Sequence, residues 1–468
     1  MLTREAWDIL SASPVVYVRT ERHPAVADLP AAVEIINFDH FYETADRFED
    51  VYSQIVAELL RLGRDQEIVY AVPGHPFVGE STVTALTAAA ADAQLPVTVI
   101  PGISFVETSL TAVALDGLDG LQLFDALELV KFKHPPVSTD VPLLLGQVYS
   151  RLLASEVKMT LSVVYPEEHQ VSLVHAAGTE RELIETIPLY AIDRSQNIDH
   201  LTSLLVPPLP YRSTLSALAE TVAILRSPEG CPWDQEQTPQ SMREGLLEEV
   251  AELLDALDRE DHANLCEELG DIIYHLVMQV QMASEEEIFR ISDVIGGIDT
   301  KLRRRHPHVW GDWEVNSTAE VLRNWEQLKK EEKNDRSHVL LESVPAALPA
   351  LARSQKIQKK VSGVGFDWPD VSGVYDKVDE EIRELKAAAS HDERQAELGD
   401  VLFALANLAQ WLGVDAESAL REANLRFSKR FGRLEELLLE RSLKWEELDL
   451  AALDKVWGEV KEMLAKEE

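Results

Sequence analysis

Residues 248–252 read Glu-Glu-Val-Ala-Glu and residues 268–271 read Glu-Leu-Gly-Asp; the pattern returns as Glu-Glu-Ile-Arg-Glu at 380–384 and Glu-Leu-Gly-Asp at 397–400. On a helix of about 3.6 residues per turn, positions three apart share a face. Glu249 therefore projects with Glu252 and Glu268 with Asp271, and the second set repeats this with Glu381, Glu384, Glu397 and Asp400. The residues between the two acidic segments leave room for a turn between antiparallel helices. Packing such a helix pair gathers four carboxylates in each copy.

Other landmarks recur in step. Gly230-Cys231-Pro232-Trp233-Asp234 is echoed by Gly363-Val364-Gly365-Phe366-Asp367, Lys301 with Arg305 by Arg426 with Arg430, and Trp325 by Trp457. The interval is 132 residues from Glu249 to Glu381 and 129 from Asp271 to Asp400. Near-constant spacing is the signature of an internal repeat. From Ser213 onward the chain is amphipathic and acidic with almost no strand signal, which predicts two all-helical domains, 211–337 and 338–468. Upstream, short apolar runs at Val15–Val18, Ile68–Val72, Val97–Ile100 and Leu161–Tyr165 alternate with helical stretches such as Phe48–Arg61. That alternation predicts an α/β domain over 1–210, ending where Leu204-Leu205-Val206 runs into Pro207-Pro208-Leu209-Pro210.

Composition narrows the classes of function. The 468 residues carry 44 Lys and Arg against 82 Asp and Glu, a formal net charge of −38. Such a field repels duplex nucleic acid, whose binding needs clustered cations. No apolar run is long enough for a membrane span. The start shows no signal-peptide pattern, so a cytoplasmic protein is expected. Two cysteines, Cys231 and Cys266, exclude a disulfide framework and a multi-cysteine zinc site.

Four carboxylates in a helical bundle repel one another and raise each other's pKa unless a cation intervenes. An all-oxygen donor set suits magnesium, or manganese, rather than zinc. A single acidic pair would be read as a solvated helix face. The duplication argues otherwise, as do the apolar neighbours Leu269, Ile272, Ile273 and Leu276 in one copy and Leu398, Val401, Leu402 and Leu405 in the other. A di-iron bundle would use Glu-x-x-His pairs, which neither copy has in this constellation; His275 has Ala404 as its counterpart. Lys301 with Arg305, and Arg426 with Arg430, are spaced to clamp a phosphate leaving group, or else pair with surface acids. Trp325 and Trp457 either stack on a base or belong to the helical core. Asn407, seven residues beyond Asp400, offers hydrogen bonds to a substrate or to a buried polar partner, where the first copy has Met278. The second copy is accordingly expected to carry the main activity.

The Glu-Glu-x-x-Glu and Glu-x-x-Asp motifs, with Gly-Cys-Pro-Trp-Asp ahead and Arg304-Arg305-His306-Pro307-His308-Val309 behind, resemble the MazG family over about 213–468. The resemblance implies magnesium ligands at Glu249, Glu252, Glu268 and Asp271 and at Glu381, Glu384, Glu397 and Asp400. It also implies a homodimer and the reaction NTP + H2O → NMP + pyrophosphate, clearing non-standard or surplus nucleotides. A non-catalytic nucleotide sensor is the alternative.

Residues 1–210 resemble the tetrapyrrole methylase family, in the form fused to MazG domains. The matching stretches are Val69-Tyr70-Ala71-Val72-Pro73-Gly74-His75-Pro76, Pro101-Gly102-Ile103-Ser104 and Ala154-Ser155-Glu156-Val157-Lys158. The resemblance implies an S-adenosylmethionine pocket bordered by Pro73, Gly74, His75, Pro76, Gly102 and Ser104, and so an alternative role as a tetrapyrrole or small-molecule methyltransferase. The family's opening Gly-x-Gly-x-Gly loop does not precede Thr3–Leu10, and His75 stands where many methylases carry an acid. Binding of S-adenosylmethionine is expected to be weak or absent.

Overall fold

The computed structural model describes residues 2–21, 26–27, 29–44, 48–333 and 340–465. The expected boundary at 337/338 lies outside them. The chain divides into two compact units, Met1–Gln237 and Thr238–Glu468.

The first unit runs α1 (Arg4–Ala12), β1 (Val15–Val18), β2 (Glu34–Asn37), α2 (Asp39–Thr44), α3 (Phe48–Asp65), β3 (Val69–Ala71), α4 (Ser81–Asp92) and α5 (Phe105–Val113). It continues with β4 (Gln122–Asp125), α6 (Ala126–Leu129), β5 (Leu143–Gly146), α7 (Arg151–Leu161), β6 (Gln170–His175), β7 (Leu183–Pro188), β8 (Thr202–Val206), α8 (Leu215–Arg226) and α9 (Pro232–Glu236). Strands β2, β1 and β3 form a parallel sheet in that order, with Tyr17 opposite both Ile36 and Tyr70. A second, mixed sheet is ordered β4-β5-β8-β6-β7. Strand β5 is apolar and buried along its whole length, as expected of a strand covered on both faces. Its core gathers Leu143, Leu145, Val157, Leu161, Tyr165, Leu173 and Leu204.

Two strand expectations fail here. Leu161–Tyr165 is the buried end of α7 and the turn after it, because a short, largely apolar run fits a core-facing helix end as well as a strand. Val97–Ile100 carries no regular structure and joins neither sheet; Val97 is exposed.

The second unit is helical throughout its described residues: α10 (Arg243–Asp258), α11 (His262–Glu285), α12 (Ile291–Arg305), α13 (Pro307–Trp310), α14 (Thr318–Lys333), α15 (Ala350–Ser362), α16 (Val371–Ala387), α17 (His391–Trp411), α18 (Ala416–Glu440) and α19 (Leu450–Leu464). Short polar residues set the starts. Asp261 accepts from Asn264 N to open α11, and Ser390 with Glu393 forms a capping box on α17. Each cap closes a turn of a few residues, so α11 folds back along α10 and α17 along α16. Helices α18 and α19 enclose their own core of Leu434, Leu437, Leu438, Val456 and Val460. Arg421 of α18 bonds Asp258 at the end of α10 through Nε at 2.6 Å, tying the later helices to the first pair.

Candidate active site

Each helix pair assembles a carboxylate cluster. Oxygens of Glu249, Glu252 and Glu268 lie within 4.8 Å of one another, as do those of Glu381, Glu384 and Glu397. Asp271 and Asp400 stand outside these tight groups but remain close enough to act on Glu268 and Glu397. Burial, then the charges of Glu252 and Glu249, push the Glu268 carboxyl up from its ordinary value. Glu397 is raised in the same way by burial and by Glu384, Asp400 and Glu381. The buried Oε2 of each has no hydrogen-bond partner. An orphaned carboxylate oxygen amid other carboxylates is costly, and a hard divalent cation offsets that cost. The residues present therefore fit a magnesium or manganese ion.

The apolar neighbours behave differently from expectation. Leu269, Ile273 and Leu276 on α11, and Leu398, Leu402 and Leu405 on α17, are 42–52% exposed. These rows face outward, and of the acids Glu268 and Glu381 are buried while Glu252, Glu384 and Asp400 are exposed.

Around the second cluster the helices leave a cavity of about 510 Å³, lined by Gln358, Phe366, Asp367, Trp368, Val374, Lys377, Glu381, Asp400, Phe403, Ala404 and Asn407. Lys377 Nζ lies 2.7 Å from Glu381 and 3.1 Å from Glu380, and these two bonds raise its pKa. Asp367 accepts a bond from Trp411 Nε1 at 3.1 Å. Burial alone would raise this carboxyl, but hydrogen bonds from Ser362, Trp411, the Trp368 backbone and Asn407 hold it below its ordinary value. An ionised Asp367 fixes the Asn407 amide with nitrogen toward it, leaving the buried Oδ1 without a partner. Asn407 thus has a buried polar partner and also lines the cavity.

Sequence reasoning missed Lys377, Asp367, Phe366 and Trp368 as lining residues. Lys377 was legible as a cation four residues ahead of Glu381, on the same helical face. The others were noted only as repeat landmarks or not at all.

The expected cations and tryptophans are not in this cavity. Lys301 and Arg304 line a shallow depression along α12 with Ser292, Asp293, Gly296, Gly297 and Thr300. The Arg305 guanidinium lies over the Trp325 ring, 5.7 Å from its centre. Arg426 pairs with Glu422 at 3.5 Å, and Arg430 is half-buried on the same helix. Trp457 packs against Phe427 at 5.3 Å and on the core of α18 and α19.

In the first unit the two Pro-Gly turns meet. A Cβ on Gly102 would come within 2.2 Å of the Gly74 carbonyl oxygen, and Gly74 itself has φ +79°. Close packing accounts for Gly102 and the left-handed backbone for Gly74, with no ligand needed to explain either. His75 Nδ1 accepts from Phe77 N at 3.1 Å, and Ser104 caps α5 in a box with Glu107. Pro73 and Pro76 flank the first turn and are half-buried.

An α/β unit followed by a helical unit with paired acidic clusters defines a class of fused proteins, and comparison with known proteins agrees. The family described as "Tetrapyrrole (Corrin/Porphyrin) Methylases" matches residues 1–193, and the "MazG nucleotide pyrophosphohydrolase domain" matches residues 237–310. The Bacillus subtilis (strain 168) protein YabN is 40% identical over 467 residues, covering 97% of this chain and 94% of that protein. The Escherichia coli (strain K12) nucleoside triphosphate pyrophosphohydrolase is 45% identical over 244 residues, covering 51% of this chain and 93% of that protein. Among solved structures, a uroporphyrin-III-C-methyltransferase from Thermus thermophilus aligns with a TM-score of 0.35 at 20% identity, over 44% of this chain and 85% of that one. The chain belongs to the MazG family, in the form that carries an N-terminal tetrapyrrole methylase domain. Among the described residues no helix is long and apolar enough to cross a membrane.

Proposed function

We propose that the helical unit is a magnesium-dependent nucleoside triphosphate pyrophosphohydrolase, cleaving NTP between the α- and β-phosphates to NMP and pyrophosphate. Membership of the MazG family supports the nucleotide substrate. The observation that carries the reading is the cavity beside the second cluster, where Glu381, Asp400, Lys377 and Asn407 meet two exposed aromatic side chains, Phe366 and Trp368.

In this reading Glu381, Glu384, Glu397 and Asp400 hold magnesium or manganese. The ion, when bound, neutralises phosphate charge and lowers the pKa of the attacking water. Lys377 brings a cation to the cavity wall, where it can take up charge developing on the departing pyrophosphate. Phe366 and Trp368 offer faces on which a base can stack. Asn407 Oδ1 is an acceptor for a donor on the nucleotide. The first cluster lacks the lysine and the amide of this wall: Gly245 stands where the second has Lys377, and the fully buried Met278 where it has Asn407. The reading assigns turnover to the second copy of a duplicated helical domain.

It also includes a cytoplasmic homodimer, since a second copy of this chain would cover the exposed apolar rows of α11 and α17. Clearance of non-standard or surplus nucleotides is the role it implies. Phosphorus NMR of the products tests the reaction. NMP and pyrophosphate are expected in the presence of magnesium, and NDP with orthophosphate as primary products would overturn it.

A further inference from the structure

In Phe366-Asp367-Trp368 a carboxylate stands between the two exposed aromatic residues of the cavity wall. The Trp368 indole is seated against the start of α16, where a Cβ on Gly373 would lie 2.3 Å from its Cδ1. Asp367 Oδ1 accepts from the Trp368 backbone N at 2.9 Å and from Trp411 Nε1 at 3.1 Å, and the carboxylate also receives Ser362 and the Asn407 amide. An ionised carboxylate only accepts, so Asn407 meets it with its NH2 group. That leaves Oδ1 as the free end of the amide. It is buried without a partner, on a side chain that is 2% exposed and lines the cavity. An unpaired buried acceptor is costly, and a donor on a ligand offsets the cost.

Its position selects the part of a ligand that meets it. Asp400 and Asn407 share a face of α17, seven residues or about 10.5 Å apart along the axis, with the small Ala404 between them. In the proposed hydrolase the phosphates lie at the Asp400 end. Such a span passes the sugar of a nucleotide and reaches its base. The stacking residues Phe366 and Trp368 flank the carboxylate that Asn407 touches, which puts the amide beside the same base.

We propose that Asp367 is a positioning residue that fixes the polarity of Asn407, and that the cavity thereby selects bases with an exocyclic amino group, adenine and cytosine, over their oxo counterparts, hypoxanthine and uracil. The inference rests on the nucleotide-hydrolase reading and names the substrate class of that site. An amino group donates to Oδ1, whereas a carbonyl in its place sets two acceptors against each other and leaves both unpaired. An amide free to turn would serve either base, because its two ends are alike in shape. The first copy, with Met278 at this position, carries no such amide.

The test compares ATP with ITP and CTP with UTP on the full-length protein, by calorimetric binding with calcium in place of magnesium and by kcat/KM with magnesium. The amino member of each pair should be favoured about tenfold or more. In Asp367→Asn the group facing Asn407 can donate as well as accept, so the amide can turn and the preference should fall to about twofold or less. Asn407→Leu, which removes the amide at similar volume, should abolish the preference too. Each result is a ratio within one variant, so a general loss of affinity cancels. Equal affinity for ATP and ITP in the parent protein overturns the inference and leaves the proposed hydrolysis in place. So does a preference that survives Asp367→Asn, which would reduce Asp367 to a structural anchor. Amino preference in binding, together with products other than NMP and pyrophosphate, would sustain the inference and remove the proposed reaction.

Discussion

Replacing Asp400 by Asn removes one negative charge from the second cluster while nearly keeping side-chain shape. Asp400 lines the 510 Å³ cavity with Glu381 and Asn407, and it is among the carboxylates that push Glu397 up. Losing such a ligand from a site that must hold magnesium should lower kcat/KM about 100-fold or more, equivalent to about 2.7 kcal/mol of transition-state stabilisation. Continuous pyrophosphate release with saturating magnesium reads the effect. Thermal melts without metal provide the control. Relief of repulsion on Glu397 should leave the variant at least as stable as the parent, so lost activity cannot be lost fold. The matched change Asp271→Asn acts where His275 and Met278 close the corresponding space, and its loss should be about threefold or less. Equal losses in two folded variants would refute the assignment of turnover to the second copy.

Two further outcomes concern the framework. Trp411→Phe removes the donor to Asp367 and should cost about 1 kcal/mol at neutral pH. The hydrogen bonds hold Asp367 below its ordinary value of 3.8, so their contribution is full above that value and is lost as pH falls through the lowered folded pKa. Denaturant titrations of parent and variant should therefore converge in strong acid, and a gap independent of pH would sink the argument. Gly102→Ala forces a Cβ against the Gly74 carbonyl and should destabilise the first unit by about 1–3 kcal/mol. Calorimetry giving an unchanged transition for that unit would show that the turns can separate freely.

The carboxylate pairs were legible because three-residue spacing on a helix is local geometry, and three acids of each quartet do come within 4.8 Å. The motif's recurrence made the pattern readable twice. What joins the acids into a cavity was less legible, because it depends on contacts between segments. Asp367 sits in the turn before α16, and only the folded chain brings it to Trp411 and Asn407. Trp457 shows the converse: its recurrence suited a base-stacking role equally well, and its packing against Phe427 became visible only with α18 and α19 in place. In the first unit, β1, β3 and β8 were legible from their apolar runs, whereas Leu161–Tyr165 was not, since burial without alternation fits either type of element. The exposed rows on α11 and α17 were misread as core for a related reason. Apolar sequence marks a surface to be covered and does not say by which chain.

The bond between Arg421 and Asp258 bears on how this polypeptide can be shortened. Asp258 is about four-fifths shielded from solvent and its counter-charge arrives only with α18, 163 residues later. A fragment that stops after the first helix pair would present that carboxylate with no guanidinium, in a chain already burdened with excess acid. Trimming to a single copy therefore calls for a neutral residue at 258 to be introduced together with the cut.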